Sequence, residues 1–260
     1  MQMNGTQAAD FIKILHATLQ KSANFSDVKI SCCEATGWQT QATLTKGLND
    51  AGAGDLVGII SGHEYTSRIT FQQPTKQKVW QTEYSDLAGK WSTGWDVGSR
   101  GDGLLWANSI YAGLTTGNVS AYLWWVATQD QITNGDRNEK LIRVDNTTNT
   151  YQVSKRLWAF AQYSRTVRPG AVRVDISNGG NAGLNTTAFV NLDGSVAVNV
   201  INGGTAVADL QIAGLQAASV KAWLTNEKSD FDEIPVTLGS ALGASVPARS
   251  MISLVVWQKS

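Results

Sequence analysis

The stretch that decides the fold is Gln41-Ala-Thr-Leu-Thr-Lys-Gly-Leu-Asn-Asp-Ala-Gly-Ala-Gly-Asp-Leu-Val-Gly-Ile-Ile60. Its first ten residues space apolar groups at helical intervals, the glycines of Ala51-Gly-Ala-Gly54 end that helix, and Leu56-Val-Gly-Ile-Ile60 is a continuous apolar run. A strand covered by helices on both faces of a parallel sheet reads this way, without polar alternation. Upstream, Thr6–Leu19 is amphipathic at helical spacing with Thr6 as a candidate cap, and Val28–Cys33 reads as a short strand. Downstream come a strand at Lys78–Glu83, a helix at Gly103–Leu114, an apolar strand at Ala121–Val126 and a helix over Tyr151–Arg165. The polar connection Thr66–Gln77, which carries Pro74, reads as a loop. Alternation of this kind predicts an α/β region built on a parallel sheet.

After Arg168-Pro169-Gly170 the period changes from helical to two. The segments Ala171–Ile176, Thr187–Leu192, Ser195–Val200, Ala208–Ile212, Val220–Leu224 and Ser250–Trp257 alternate, separated by turns such as Leu192-Asp-Gly-Ser195 and Asn202-Gly-Gly204. They predict an antiparallel β-sandwich. The expected fold class is therefore α/β plus all-β.

Composition narrows the function classes. Lys+Arg and Asp+Glu are both 21, so the chain has no net charge with which to attract nucleic acid or an acidic membrane surface. No stretch approaches the ~20 apolar residues of a membrane span, and Met1–Asp10 lacks the pattern of a signal peptide. Cys32 and Cys33 are adjacent, a spacing that rarely satisfies disulfide geometry. They read as buried small residues, or one of them as the partner of a cysteine elsewhere. With only His16 and His63 in the chain, no metal or other cofactor is implied. Ten Trp residues suit sugar stacking as well as core packing.

In a parallel α/β region, chemistry collects at the carboxyl ends of strands. Those ends carry His63 and Tyr65, then Glu83 and Tyr84, then Trp124 and Trp125. A carboxylate flanked by Tyr and His and walled by indoles can bind a sugar and attack its anomeric carbon. Trp106, Trp158, Trp223 and Trp257 lie inside helix or strand patterns and read as core.

The runs Cys33-Glu-Ala-Thr-Gly-Trp38, Ser61-Gly-His-Glu-Tyr65, Val79-Trp-Gln-Thr-Glu83-Tyr84 and Trp106-Ala-Asn-Ser-Ile-Tyr111, with Ser154–Gly170, resemble glycoside hydrolase family 30 in order over nearly the whole chain. The resemblance implies the last four strands of a (β/α)₈ TIM barrel over 1–168 and a side β-sandwich over 169–260. It implies Glu83 as the nucleophile of a retaining glycosidase, with Tyr65 orienting its carboxylate. Trp125 or Trp124 would floor the sugar subsite, His63 would help bind substrate, and Trp38 is a candidate for a neighbouring subsite. Packing is an equal reading for Trp38 and Trp124. Arg137 could meet an acidic sugar branch, although a solvated loop charge is the plainer reading. The closest resemblance is to the fungal xylan-degrading members, which implies a secreted, monomeric enzyme with a polysaccharide substrate. The sequons at Asn4, Asn24, Asn118, Asn146 and Asn185 are compatible with secretion. β-1,6-Galactanase, β-1,6-glucanase and glucosylceramidase-like activities, or a non-catalytic carbohydrate-binding remnant, stand as alternatives.

One departure matters. Family members carry the general acid/base in an Asn-Glu-Pro segment after the fourth strand, and no such tripeptide occurs here. Glu34 and Glu64 are the nearest alternatives, and neither is a convincing substitute. The expectation is a fragment, inactive alone, with unpaired strand edges.

Overall fold

The computed structural model describes residues 3–177, 183–238 and 242–259. The chain divides into two compact units, one comprising the residues up to Ser85 with Ala112–Trp125, the other Asp86–Tyr111 with Val126 onward.

The first unit holds α1 (Gly5–Gln20), β1 (Ser31–Ala35), α2 (Trp38–Asp50), β2 (Ile59–His63) and β3 (Lys78–Glu83), then the last turn of α3 (Gly103–Thr115) and β4 (Ala121–Tyr122). The four strands form a parallel sheet in the order β1-β2-β3-β4. Ile60 and Val79 from the sheet meet Trp38 and Leu48 of α2 and Ala8, Ala9 and Ile12 of α1 in one buried cluster. The two helices touch at Gly5 and Gly47, where a Cβ on Gly5 would lie 2.7 Å from the Gly47 Cα. The cap of α1 is Asn4, in a reciprocal capping box with Gln7, rather than Thr6. Asn4 takes that role because its short side chain reaches the free Gln7 N–H, while Thr6 already lies inside the first turn.

β4 is shorter than the apolar run Ala121–Val126. The Leu123 N–H is shared between the Gln81 carbonyl (2.9 Å) and the Gln81 side chain (3.1 Å), so the regular ladder stops there. Cys32 and Cys33 are joined to each other by a disulfide across a cis peptide bond, which corrects the reading of them as separate thiols. The cis arrangement brings their Cα atoms to 3.0 Å, a separation that ordinary adjacent residues do not reach.

The second unit contains β5 (Thr128–Asp130), β6 (Ile142–Asp145) and β7 (Thr150–Val153) in a small mixed sheet, followed by α4 (Lys155–Ser164). Helical rhythm over Tyr151–Arg165 was thus only partly diagnostic: β6 and β7 form a hairpin, with Asn149 in the left-handed region (φ 53°), and the helix starts after Ser154. A six-stranded sheet follows, built from β8 (Val172–Val174), β9 (Leu184–Val190), β10 (Val196–Asn202), β12 (Ala217–Thr225), β13 (Asp230–Ile234) and β16 (Ser250–Gln258). A three-stranded sheet comprises β11 (Ala208–Ile212), β14 (Thr237–Leu238) and β15 (Leu242–Val246). Val198, Val200, Ile252 and Leu254 of the larger sheet share a core with Leu210, Leu242 and Val246 of the smaller.

β10 is buried at every position because α4 covers its other face. The Asn199 amide donates to the Gln162 carbonyl (3.0 Å), the Thr166 hydroxyl (3.1 Å) and the Ser253 hydroxyl (2.6 Å). Gln162 in turn donates to Thr225 (2.8 Å). Trp106 is core as expected, but Trp257, at the end of β16, is 37% exposed. It lies where the strand passes beyond the covered part of the sheet.

Candidate active site

The strand ends of the first unit gather the chemistry. Glu83 closes β3, and the Tyr65 hydroxyl, two residues past β2, donates to Glu83 Oε1 at 2.9 Å. Burial, reinforced by the Glu83 carboxylate, pushes the Tyr65 phenol well above its ordinary range, so it stays a neutral O–H donor. A neutral donor fixes the carboxylate without neutralising it. Tyr65 is braced edge-on by His63 (centroids 5.9 Å apart) and Tyr84 (5.5 Å). Past β4, the Trp125 N–H approaches the Tyr84 carbonyl (3.4 Å), which lays Leu123–Trp125 alongside the end of β3. Trp125 is 43% exposed and keeps a free face there, whereas Trp124 is half-buried.

Glu34 joins this set, although sequence reasoning considered it only as an acid/base substitute. Its Oε2 accepts from Thr82 Oγ1 (2.5 Å) and lies 2.9 Å from His63 Nε2. His63 is the register partner of Glu83, and Thr82 precedes it, so Glu34 reaches the same rim from β1. Burial opposes its ionisation, but hydrogen bonds with His63, Ser61 and Thr82 prevail and hold the carboxyl down at about 2. The signal available in sequence was the position of Glu34 directly after an apolar strand.

Gln41 of α2, completely buried, holds that strand end in place. Its Oε1 accepts from Ala35 N (3.1 Å) and Cys33 N (3.4 Å), and its amide donates to the Cys32 carbonyl (3.4 Å). These bonds replace ladder pairing where Glu34 adopts a left-handed backbone (φ 59°) and the β1–β2 register shifts. Changing Gln41 to Met should leave buried backbone groups unpaired and cost roughly 1–3 kcal/mol. A lowered denaturation midpoint would show this; an unchanged one would contradict the pinning role.

One expected subsite residue, Trp38, does not face the rim. Trp38 opens α2 fully buried, its Nε1 donating to the Phe71 carbonyl at 2.8 Å, so no ring face is left for a sugar and packing is its role. Arg137 belongs to the second unit, where its Nη1 donates to the Leu87 carbonyl at 2.6 Å and ties down a loop. Glu64 is buried, accepting from Arg68 Nε and Ile69 N at 3.1 Å each, away from the Glu83 hydrogen bonds.

Residues 170–254 match the glycosyl hydrolase family 30 beta sandwich domain. The catalytic domain of GH30 xylanase C from Talaromyces cellulolyticus superposes with a TM-score of 0.91 at 36% identity, covering 99% of this chain and 58% of that one. Over the sandwich and over the chain as a whole, the similarity is to glycoside hydrolase family 30. The glucuronoxylanase XynC of Bacillus subtilis is 26% identical over 226 residues, 80% of this chain and 48% of that protein. The family-30 xylanase Xyn30A of Clostridium acetobutylicum shares the fold, with a TM-score of 0.76 at 22% identity. The chain thus spans about half the length of the curated relative.

Proposed function

We propose that this chain carries the nucleophile half of a retaining β-glycosidase acting on xylan, within the last four strands of a (β/α)₈ barrel. The observation that carries the reading is the Tyr65–Glu83 hydrogen bond at a strand-end rim walled by Trp125. The likeness to family-30 xylanases and a glucuronoxylanase favours xylan over the β-1,6-linked alternatives. A disulfide at Cys32–Cys33 supports an oxidising, extracellular setting.

In the double displacement, Glu83 attacks the anomeric carbon and an ester forms as the glycosidic bond breaks. The departing oxygen takes a proton from an acid, and water then releases the sugar with retained configuration. Glu34 does not suit the acid role: a carboxyl held at about 2 carries no proton to give near neutrality. Glu64, buried against Arg68, does not suit it either. The proton donor is therefore sought in an Asn-Glu-Pro segment of the kind the family resemblance implies, outside this chain.

A substrate whose leaving group needs no proton tests the nucleophile alone. With dinitrophenyl β-xylobioside, the chain should release dinitrophenolate and gain the mass of one xylobiosyl group on Glu83. Any sugar released afterwards should appear first as the β-anomer by NMR. Absence of both phenolate release and adduct would overturn the reading.

A further inference from the structure

Arg68 takes no part in the proposed displacement, yet its contacts lead back to the nucleophile. Its Nε donates at 3.1 Å to Glu64 Oε2, which also accepts from the Ile69 N–H at 3.1 Å. Glu64 is only 2% exposed, so one end of this ion pair is fixed. In a surface pair both long side chains wander, and little is gained. From its anchor Arg68 reaches Tyr84 twice. Nη1 donates to the Tyr84 hydroxyl at 2.7 Å, and the guanidinium carbon lies 4.4 Å from the centre of that ring. Tyr84 meets Tyr65 edge-on with centroids 5.5 Å apart, and the Tyr65 hydroxyl donates to Glu83 Oε1 at 2.9 Å. Side-chain contacts thus run without a break from a buried carboxylate, through Arg68 and two phenols, to Glu83. Holding the loop after β2 does not require this reach. That loop is already tied down by Thr66 N–H on the Thr36 carbonyl, Trp38 N–H on the Ser67 carbonyl and Gln39 N–H on the Ser67 hydroxyl.

The geometry points to Arg68 as a positioning residue that acts on Glu83 through Tyr84 and Tyr65. By holding Tyr84 at its hydroxyl and over its ring, Arg68 fixes the surface against which Tyr65 stands. The Tyr65 hydroxyl then stays on Glu83 Oε1, and the carboxylate keeps one orientation. The inference rests on the glycosidase reading above and adds a residue whose effect is carried by two phenols. Its physical basis is the steep dependence of a displacement on alignment: a misplacement of about 1 Å can cost roughly 10²-fold in rate. His63 also braces Tyr65, so the loss of Arg68 should cost less than that limit.

The test uses Arg68→Met, which removes both holds on Tyr84, and Tyr84→Phe, which removes only the hydroxyl and leaves the Arg68–Glu64 pair intact. Circular dichroism establishes that each variant folds. With dinitrophenyl β-xylobioside at saturation, glycosyl-enzyme formation should slow about tenfold in Arg68→Met and about threefold in Tyr84→Phe. The half-saturating concentration should stay within about twofold of the wild type in both, since the sugar's own contacts are untouched. The same changes are then made in Tyr65→Phe, which keeps the Glu83 charge and should form the adduct slowly. There each should cost less than about twofold more, because the path to Glu83 is already cut. A residue that only stabilised its loop would slow both backgrounds alike. Equal losses in the two backgrounds, or a raised half-saturating concentration with an unchanged rate, overturn this inference alone. No adduct from the wild type overturns the nucleophile reading and this inference with it. Arg68→Met leaves Glu64 buried without its cation; should it not fold, Tyr84→Phe decides by the same two readouts.

Discussion

Changing Glu83 to Gln is expected to reduce glycosyl-enzyme formation roughly 10⁴-fold or more, equivalent to about 5 kcal/mol of transition-state stabilisation. The amide keeps the shape of the carboxylate, and its oxygen can still accept the Tyr65 hydroxyl, so the fold should be undisturbed. What it lacks is the negative charge that forms the ester. The comparison is made on dinitrophenyl β-xylobioside, where no acid catalyst intervenes, and phenolate release is followed against the wild type. A loss of less than tenfold in a folded variant would remove Glu83 from the reaction. Residual slow release without a mass adduct is the expected background, since the amide cannot form the glycosyl ester.

The second large effect concerns stability. Arg156, on α4, is wholly buried, yet its guanidinium donates to the carbonyls of Ser92 (2.9 Å), Gly101 (2.6 Å) and Lys140 (3.0 Å). It also lies over the Trp91 ring at 5.1 Å. Burial lowers its pKa to about 10 even though Asp86 and Asp102 oppose the shift, which still leaves a cation at neutral pH. One side chain thus gathers three loop carbonyls that have no other means of meeting. Arg156→Met fills similar space but supplies no donor, and should cost about 3–5 kcal/mol. Chemical denaturation with fluorescence detection reports this directly. A midpoint equal to the wild type would mean that water or rearranged backbone takes over the three carbonyls.

The difference between what could be read from the chain and what could not follows the range of the interactions. β3 was legible to the residue, since Lys78–Glu83 is bounded by polar loop and its end coincides with the family motif. Glu83 and Tyr65 could be paired because strand ends of a parallel sheet lie side by side. Glu34 escaped for the opposite reason. Its role depends on a register shift, a left-handed backbone and a buried glutamine from α2, none of which a local pattern encodes. Trp38 was misplaced because an indole just past a strand end resembles a rim residue until the first turn of α2 carries it inward. Likewise Tyr151 and Val153 mimic helical spacing but are spent in a hairpin that only β6 makes possible. In the sandwich the long alternating strands were visible, while β13, β14 and β15 were not. Phe231, whose left-handed φ of 68° breaks the pattern of β13, shows why.

The polar seam between α4 and the six-stranded sheet bears on autonomy. Gln162, Thr166, Asn199, Thr225 and Ser253 hydrogen-bond to one another across that boundary, all but sealed from water. The region matched by the family-30 sandwich begins only at residue 170, after the helix has ended. A sandwich excised there would keep its apolar interior and lose half of this wiring. It would expose a strip of amides and hydroxyls shaped for a helix that had been cut away. Where homology draws the edge of a domain, the hydrogen bonds draw it one helix earlier.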